Sequence, residues 1–162
     1  MAKLKVKMHE LEKYEANLLS LYSLSRTMIG EAIFDGAGVV ADAVKASIET
    51  IPIDDRYATG DATLYGITEE QKQGLREGFG IAPMRNDNGY MHVKLGFDGY
   101  NSVRTKKYPN GQPNSLIARS VNTGTSFRQR FPFIDNAANK SRSTAEQKMI
   151  KKFEDSVNKV MS

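Results

Sequence analysis

The residues able to carry chemistry are few. The 162-residue chain has two histidines, His9 and His92, and no cysteine. The missing thiols remove disulfides, thiolate metal sites and cysteine nucleophiles together. No carboxylate–histidine spacing joins the two histidines into a metal motif, so each reads as a solvated imidazole. Asp54 and Asp55 are adjacent and near Asp61. A carboxylate pair working as acid and base needs surroundings that drive the two pKa values apart. The polar stretch 53–66 offers none, and loop solvation is the simpler reading. Gly74, Gly78 and Gly80 lack the lysine and the strand–loop–helix context of a phosphate-binding loop. Ser120 and Ser126 have no histidine near them in sequence, although a triad needs only spatial proximity. The seven methionines are explained by core filling. The expectation is a protein that is not an enzyme and holds no cofactor or metal.

What remains is arginine among aromatics. Arg119, Arg128 and Arg130 flank Phe127, Phe131 and Phe133. Such a mixture can bind single-stranded nucleic acid, and it is equally enriched at protein interfaces. A third reading makes Phe131 and Phe133 core anchors at the start of a helix and leaves the arginines solvated. Charge is unevenly spread. Residues 1–100 carry 11 Lys/Arg against 15 Asp/Glu, a net −4, and residues 101–162 carry 12 against 4, a net +8. A molecule polarised in this way can meet an acidic partner, DNA, or a copy of itself head to tail.

The elements that position these residues follow from periodicity. Residues 3–8 alternate Leu4, Val6 and Met8 with lysines, which predicts a short edge strand able to add to a neighbour's sheet. From His9 the apolar spacing becomes helical through Tyr22. A weak stretch at residues 23–26 suggests a break, with Ser25 capping a second helix to about Thr50 that Pro52 ends. Thr68 and Gln71 spell a capping box that opens a short helix stopped at Gly78 or Gly80. Residues 90–97 alternate, and Asp98-Gly99 is a two-residue turn signal, so residues 90–104 are expected to form a hairpin. Residues 115–121 are expected as a short helix capped by Ser115, with a strand as the alternative, and Gly124 stands at its stop. Pro132 then opens a long helix to about Val160, with Ala138, Ala145, Met149, Phe153, Val157 and Val160 on one stripe.

The length suits one domain over residues 1–162. The fold class is α+β: N-terminal helices and a long C-terminal helix packed on a small, mainly antiparallel sheet. No apolar run approaches the ~20 residues of a membrane helix. The first ten residues have lysines but no apolar block after them and do not read as a secretory signal. A cytosolic protein, or one assembled in a cytosol, is expected.

Residues 116–140, LIARSVNTGTSFRQRFPFIDNAANK, resemble the head–tail joining family of long-tailed double-stranded DNA bacteriophages, whose members are neck, tail-completion or tail-component proteins. The resemblance rests on Ala118-Arg119 before a Gly124-Thr125 turn, then Ser126, an arginine cluster, and Pro132-Phe133 leading into Ala137, Ala138 and a lysine-rich terminal helix. The turn from Gly96 to Tyr100, the loop 109–113 and the Lys-Leu-Lys-Val start followed by paired helices are similar too. Asn122 and Thr123 stand where many members have glutamate, so no acidic role carries over. The resemblance implies a structural virion protein at the junction of capsid and tail, assembled in a bacterial cytoplasm. It implies a homo-oligomeric ring around the DNA passage, six-fold or a multiple of six, in contact with neighbouring neck, connector or tail proteins. A tail terminator capping the tail tube is the alternative within the family, and a small basic nucleic-acid-binding module the alternative outside it. The candidate interface residues are Leu4, Val6, Arg119, Thr125, Ser126, Phe127, Arg128, Arg130 and Phe131.

Overall fold

The computed structural model describes residues 8–56 and 63–162, with side chains from residue 10 onward. The strand expected over residues 3–8, and with it Leu4 and Val6, lies outside the described residues, except that Met8 is already helical. Two long helices dominate. Helix α1 spans Met8–Glu49 and helix α4 spans Phe133–Met161. They run antiparallel: Asn17 donates to the Met161 carbonyl, Glu31 pairs with Lys152, and the Ser47 hydroxyl donates to the Phe133 carbonyl. No described helix is long and apolar enough to cross a membrane.

Helix α1 is one element, not the two expected. The hydroxyls of Ser23 and Ser25 donate backward to the carbonyls of Ser20 and Tyr22. They are satisfied inside the helix and cap nothing. The glycines do not break it either. A Cβ on Gly36 would lie 2.4 Å from the Cγ of Met149 and 3.2 Å from the Ala145 carbonyl oxygen. Gly36 is therefore a point of close approach between α1 and α4, and packing repays its ~1 kcal/mol propensity cost. Met28, Ala32, Ala37, Ala41, Val44 and Ile48 are buried along α1, and Phe133, Ala137, Ser141 and Ala145 along α4. The predicted α4 stripe runs close to this line, although Phe153 is exposed.

The remaining elements wrap the end where α1 stops and α4 starts. Helix α2, Glu69–Gly78, opens on the predicted capping box: Thr68 Oγ1 accepts from Gln71 N–H and the Gln71 side chain accepts from Thr68 N–H. Helix α3 spans Asn114–Thr123; its N-cap is Pro113, without a side-chain cap bond, and not Ser115. Gly124 ends it at φ 77°. Between α2 and α3 lies a narrow antiparallel ribbon. Strand β1 (Phe79–Ile81) pairs with β4 (Leu95–Phe97), and β2 (Arg85–Asp87) pairs with β3 (Tyr90–His92).

The ribbon corrects the expected 90–104 hairpin. The turn is at Asn88-Gly89, with φ 54° and 94°, and the Asn86 side chain accepts from Gly89 N–H. Residues 90–97 thus pair backward with residues 79–87. Residues 100–104 form no strand; after Asp98-Gly99 the chain folds onto α3, with Asn114 N–H donating to the Gly99 carbonyl and Asn114 Nδ2 to the Asp98 carbonyl. Phe97 reaches Phe79 at 4.9 Å between ring centroids and Phe133 at 6.1 Å, which ties the ribbon to the root of α4. Val44, Ile48, Ile51, Ile67, Leu75, Ile117 and Val121 complete the core.

Replacing Gly36 by Val should push Met149 and the α4 backbone away from α1. Overpacking of this kind costs about 1–3 kcal/mol. Urea denaturation should show a lower midpoint with an unchanged slope; a midpoint equal to wild type would mean that the helices do not meet there.

Candidate protein interface

The segment between α3 and α4 carries most of the candidate residues, and the fold sorts them into two groups. One group is spent inside. Phe133 is buried at the α4 start, and Phe131 packs half-buried against the core, as core anchors at a helix start should. Phe131 N–H donates to the Val121 carbonyl. The Asn122 side-chain oxygen accepts from Ile134 N–H at 3.0 Å and from Asp135 N–H at 3.3 Å. Asn122 is therefore the polar cap of α4, supplied from α3 across the corner, and it satisfies donors that Pro132 cannot. Sequence reading missed it because capping residues are sought just before the helix they cap.

Arg128 belongs to this inner group too, which corrects its expected place on a solvated contact loop. The backbone of residues 127–129 is laced to Leu64: Leu64 N–H donates to the Phe127 carbonyl, and Gln129 N–H to the Leu64 carbonyl, each at 2.8 Å. This pairing turns the Arg128 side chain inward, where it is 6% exposed and its Nη1 donates to the Gly66 carbonyl. Burial pushes the guanidinium pKa down, and the charge of Asp54 opposes that fall.

Asp54 is the second buried charge, and its carboxylate is saturated. It accepts from Arg56 Nε at 2.8 Å, Arg56 Nη2 at 2.7 Å and Tyr65 N–H at 2.8 Å. The Arg56 hydrogen bonds, then the Tyr65 amide, hold it well below the usual aspartate range. Asp54 is thus a fixed anion that ties Arg56 to Tyr65, not a loop carboxylate in water. Beside the cluster a cleft of about 680 Å³ is lined by Arg56, Gln71, Arg104, Gln112 and Phe127 among others.

The other group faces outward. Thr125, Ser126, Arg119 and Arg130 are exposed, and Phe127 is 44% exposed. Thr125 and Arg128 exchange backbone hydrogen bonds at 2.9 and 3.3 Å, which closes a tight loop with Ser126 and Phe127 at its tip. Arg130 is steadied by the Asn122 carbonyl and by Asp135, each at 3.2 Å. A rigid, partly exposed aromatic beside arginines whose backbone is already ordered has the makings of an interface anchor.

His92 sits 3.7 Å from Asp87 and Asp55 is exposed. Among the described residues no group of three or more His, Asp or Glu side chains is placed to hold a metal ion.

A carboxylate whose folded pKa lies below its unfolded value stabilises the fold above that unfolded value, roughly pH 4, and loses the contribution as pH falls toward the folded value. Asp54→Asn should therefore be less stable than wild type at pH 7, and the gap should close below about pH 4. Thermal melts across pH 7 to 2 measure it; a gap independent of pH would show that the carboxylate's charge is idle. Comparison with protein-family models, with curated proteins and with solved structures finds no match.

Proposed function

We propose that this chain is a structural virion protein of a tailed bacteriophage, a neck or tail-completion component that joins head to tail as an oligomeric ring around the DNA passage. The observation that carries the reading is the corner from Gly124 to Phe133. Its sequence is the part that resembles the head–tail joining family. Its backbone is locked from within by Asn122, Leu64 and Val121. Its tip still offers Thr125, Ser126 and Phe127, with Arg119 and Arg130 exposed on the same segment. An ordered tip loses little entropy on binding, so contact there is efficient. The split between a net −4 in residues 1–100 and +8 in residues 101–162 suits subunits that meet through unlike surfaces, as ring closure requires.

Particles assembled with the double substitution Arg119→Glu and Phe127→Ala test the reading. Heads and tails should accumulate unjoined in electron micrographs. Infectious titre should fall about tenfold or more, the effect of losing one contact of ~1.4 kcal/mol. Normal joining would overturn the assignment of the corner. Joined particles with tails of irregular length would point to a tail terminator instead.

A further inference from the structure

We propose that the free end of the α1–α4 hairpin is a self-association surface that takes the same hairpin of a second copy of this chain. Beyond the body of the fold, α1 continues with an apolar stripe that stays largely exposed among the described residues. At 100° per residue, Leu11, Tyr14, Leu18, Tyr22 and Ile29 fall within about 80° of one another on the helix surface. The stripe prolongs the line of Ile33, Val40 and Val44, which the fold covers partly or fully lower down. At the level of the stripe, α4 meets the neighbouring side of α1, marked by Asn17, half-buried Leu21 and buried Met28. The Glu31–Lys152 ion pair closes one flank of the hairpin. Ile150 and Phe153 of α4 are exposed too, and at 100° per residue they fall about 100–160° round α4 from Lys152, away from that flank.

Leu11, Tyr14, Leu18, Tyr22, Ile29, Ile150 and Phe153 expose between 37% and 85% of their surfaces. At on the order of 100 Å² each, these seven side chains offer roughly 700 Å² of apolar surface. That exceeds the ~300–600 Å² of the largest patch on a typical monomer. It approaches the ~800 Å² that each partner contributes to a stable interface. A two-helix layer cannot bury such a face by itself and needs a second layer.

Charge suits that occupant. Setting aside Glu31 and Lys152, which pair within the chain, α1 over residues 10–31 carries Glu10, Glu12 and Glu15 against Lys13 and Arg26, an acidic excess of one. Over residues 148–161, α4 carries Lys148, Lys151 and Lys159 against Glu154 and Asp155, a basic excess of one. A two-fold axis along the hairpin lays α1 of each copy against α4 of the other. Both stripes are then buried in a four-helix layer, with unlike charge meeting unlike at its edges.

The test is mass in solution. The wild-type chain should sediment as a dimer at about 100 μM, well above the micromolar Kd expected of such an interface. Leu18→Glu with Tyr22→Glu should sediment as a monomer with unchanged helical circular dichroism. Ser20→Glu, about 160° round the helix from Leu18 and exposed, should leave the dimer intact. A monomeric wild type, a dimeric Leu18→Glu/Tyr22→Glu variant, or dissociation by Ser20→Glu would each overturn the proposal. The inference shares with the neck reading only the choice of a second copy as partner. Its readout is free of phage particles, so failure of either one leaves the other standing.

Discussion

The close approach of α1 and α4 is the constraint on which the rest depends. A helix of 42 residues gains little from propensity and is held chiefly by what its apolar side packs on. Here that is α4. Small residues are buried along both helices: Ala32, Gly36, Ala37 and Ala41 on one, Ala137, Ser141 and Ala145 on the other, with Gly36 set against Ala145. Small residues at a crossing let whole helix surfaces interlock and multiply weak dispersion contacts. The hairpin is in effect a rod; α2 and α3 are fastened to one end of it, and the ribbon reaches back along α1 to Gly30 through Met91.

The fastening is polar as well as apolar. Where α1 stops, its last carbonyls point into the protein and would be costly if left alone. Buried Lys72 donates to the Glu49 carbonyl at 2.7 Å and to the Ile51 carbonyl at 3.0 Å, and a cation there also suits the negative end of the helix dipole. Arg76 binds both oxygens of Glu49 at 2.7 Å. Where α4 starts, Asn122 plays the matching part with the first amides. Helix α2 therefore closes one helix end and α3 the other. Placing both side chains correctly requires α2, the ribbon and α3 to be folded together.

Much of this was legible from local signals. Thr68 with Gln71 marked the α2 start, Gly124 the α3 stop and Pro132 the α4 start, because each acts within four residues of itself. The long α4 stripe was readable for the same reason. Failures arose where distant groups decided. Asn88-Gly89 and Asp98-Gly99 are both turn signals, and local chemistry alone does not say which one folds a strand back. The choice fell to Phe79, which needs Phe97 opposite it to complete the aromatic cluster with Phe133. The weak stretch at residues 23–26 suggested a break in α1, but α4 supplies a continuous surface that overrides weak propensity. Arg128 was expected on a contact loop because nothing local marks it as buried; the strand-like pairing with Leu64 that turns it inward spans more than sixty residues of sequence.

The two outward features sit at opposite ends of the rod. The Thr125–Phe127 tip lies at the root of α4, and the apolar stripe lies toward its far end, some 40 Å away along 29 residues at ~1.5 Å each. A contact between like faces stops growth at two copies. A contact between unlike faces continues until rotation closes a ring. A chain with only one of these surfaces makes either a dimer or a ring; a chain with both can stack or thicken a ring without altering its in-plane contacts. The stiffness of the α1–α4 pair matters to that outcome. The angle set at one end is transmitted to the other with little loss, and ring closure tolerates only small angular error. On this reasoning Gly36, buried between the two helices, would set the geometry of the proposed assembly through the close helix contact it permits.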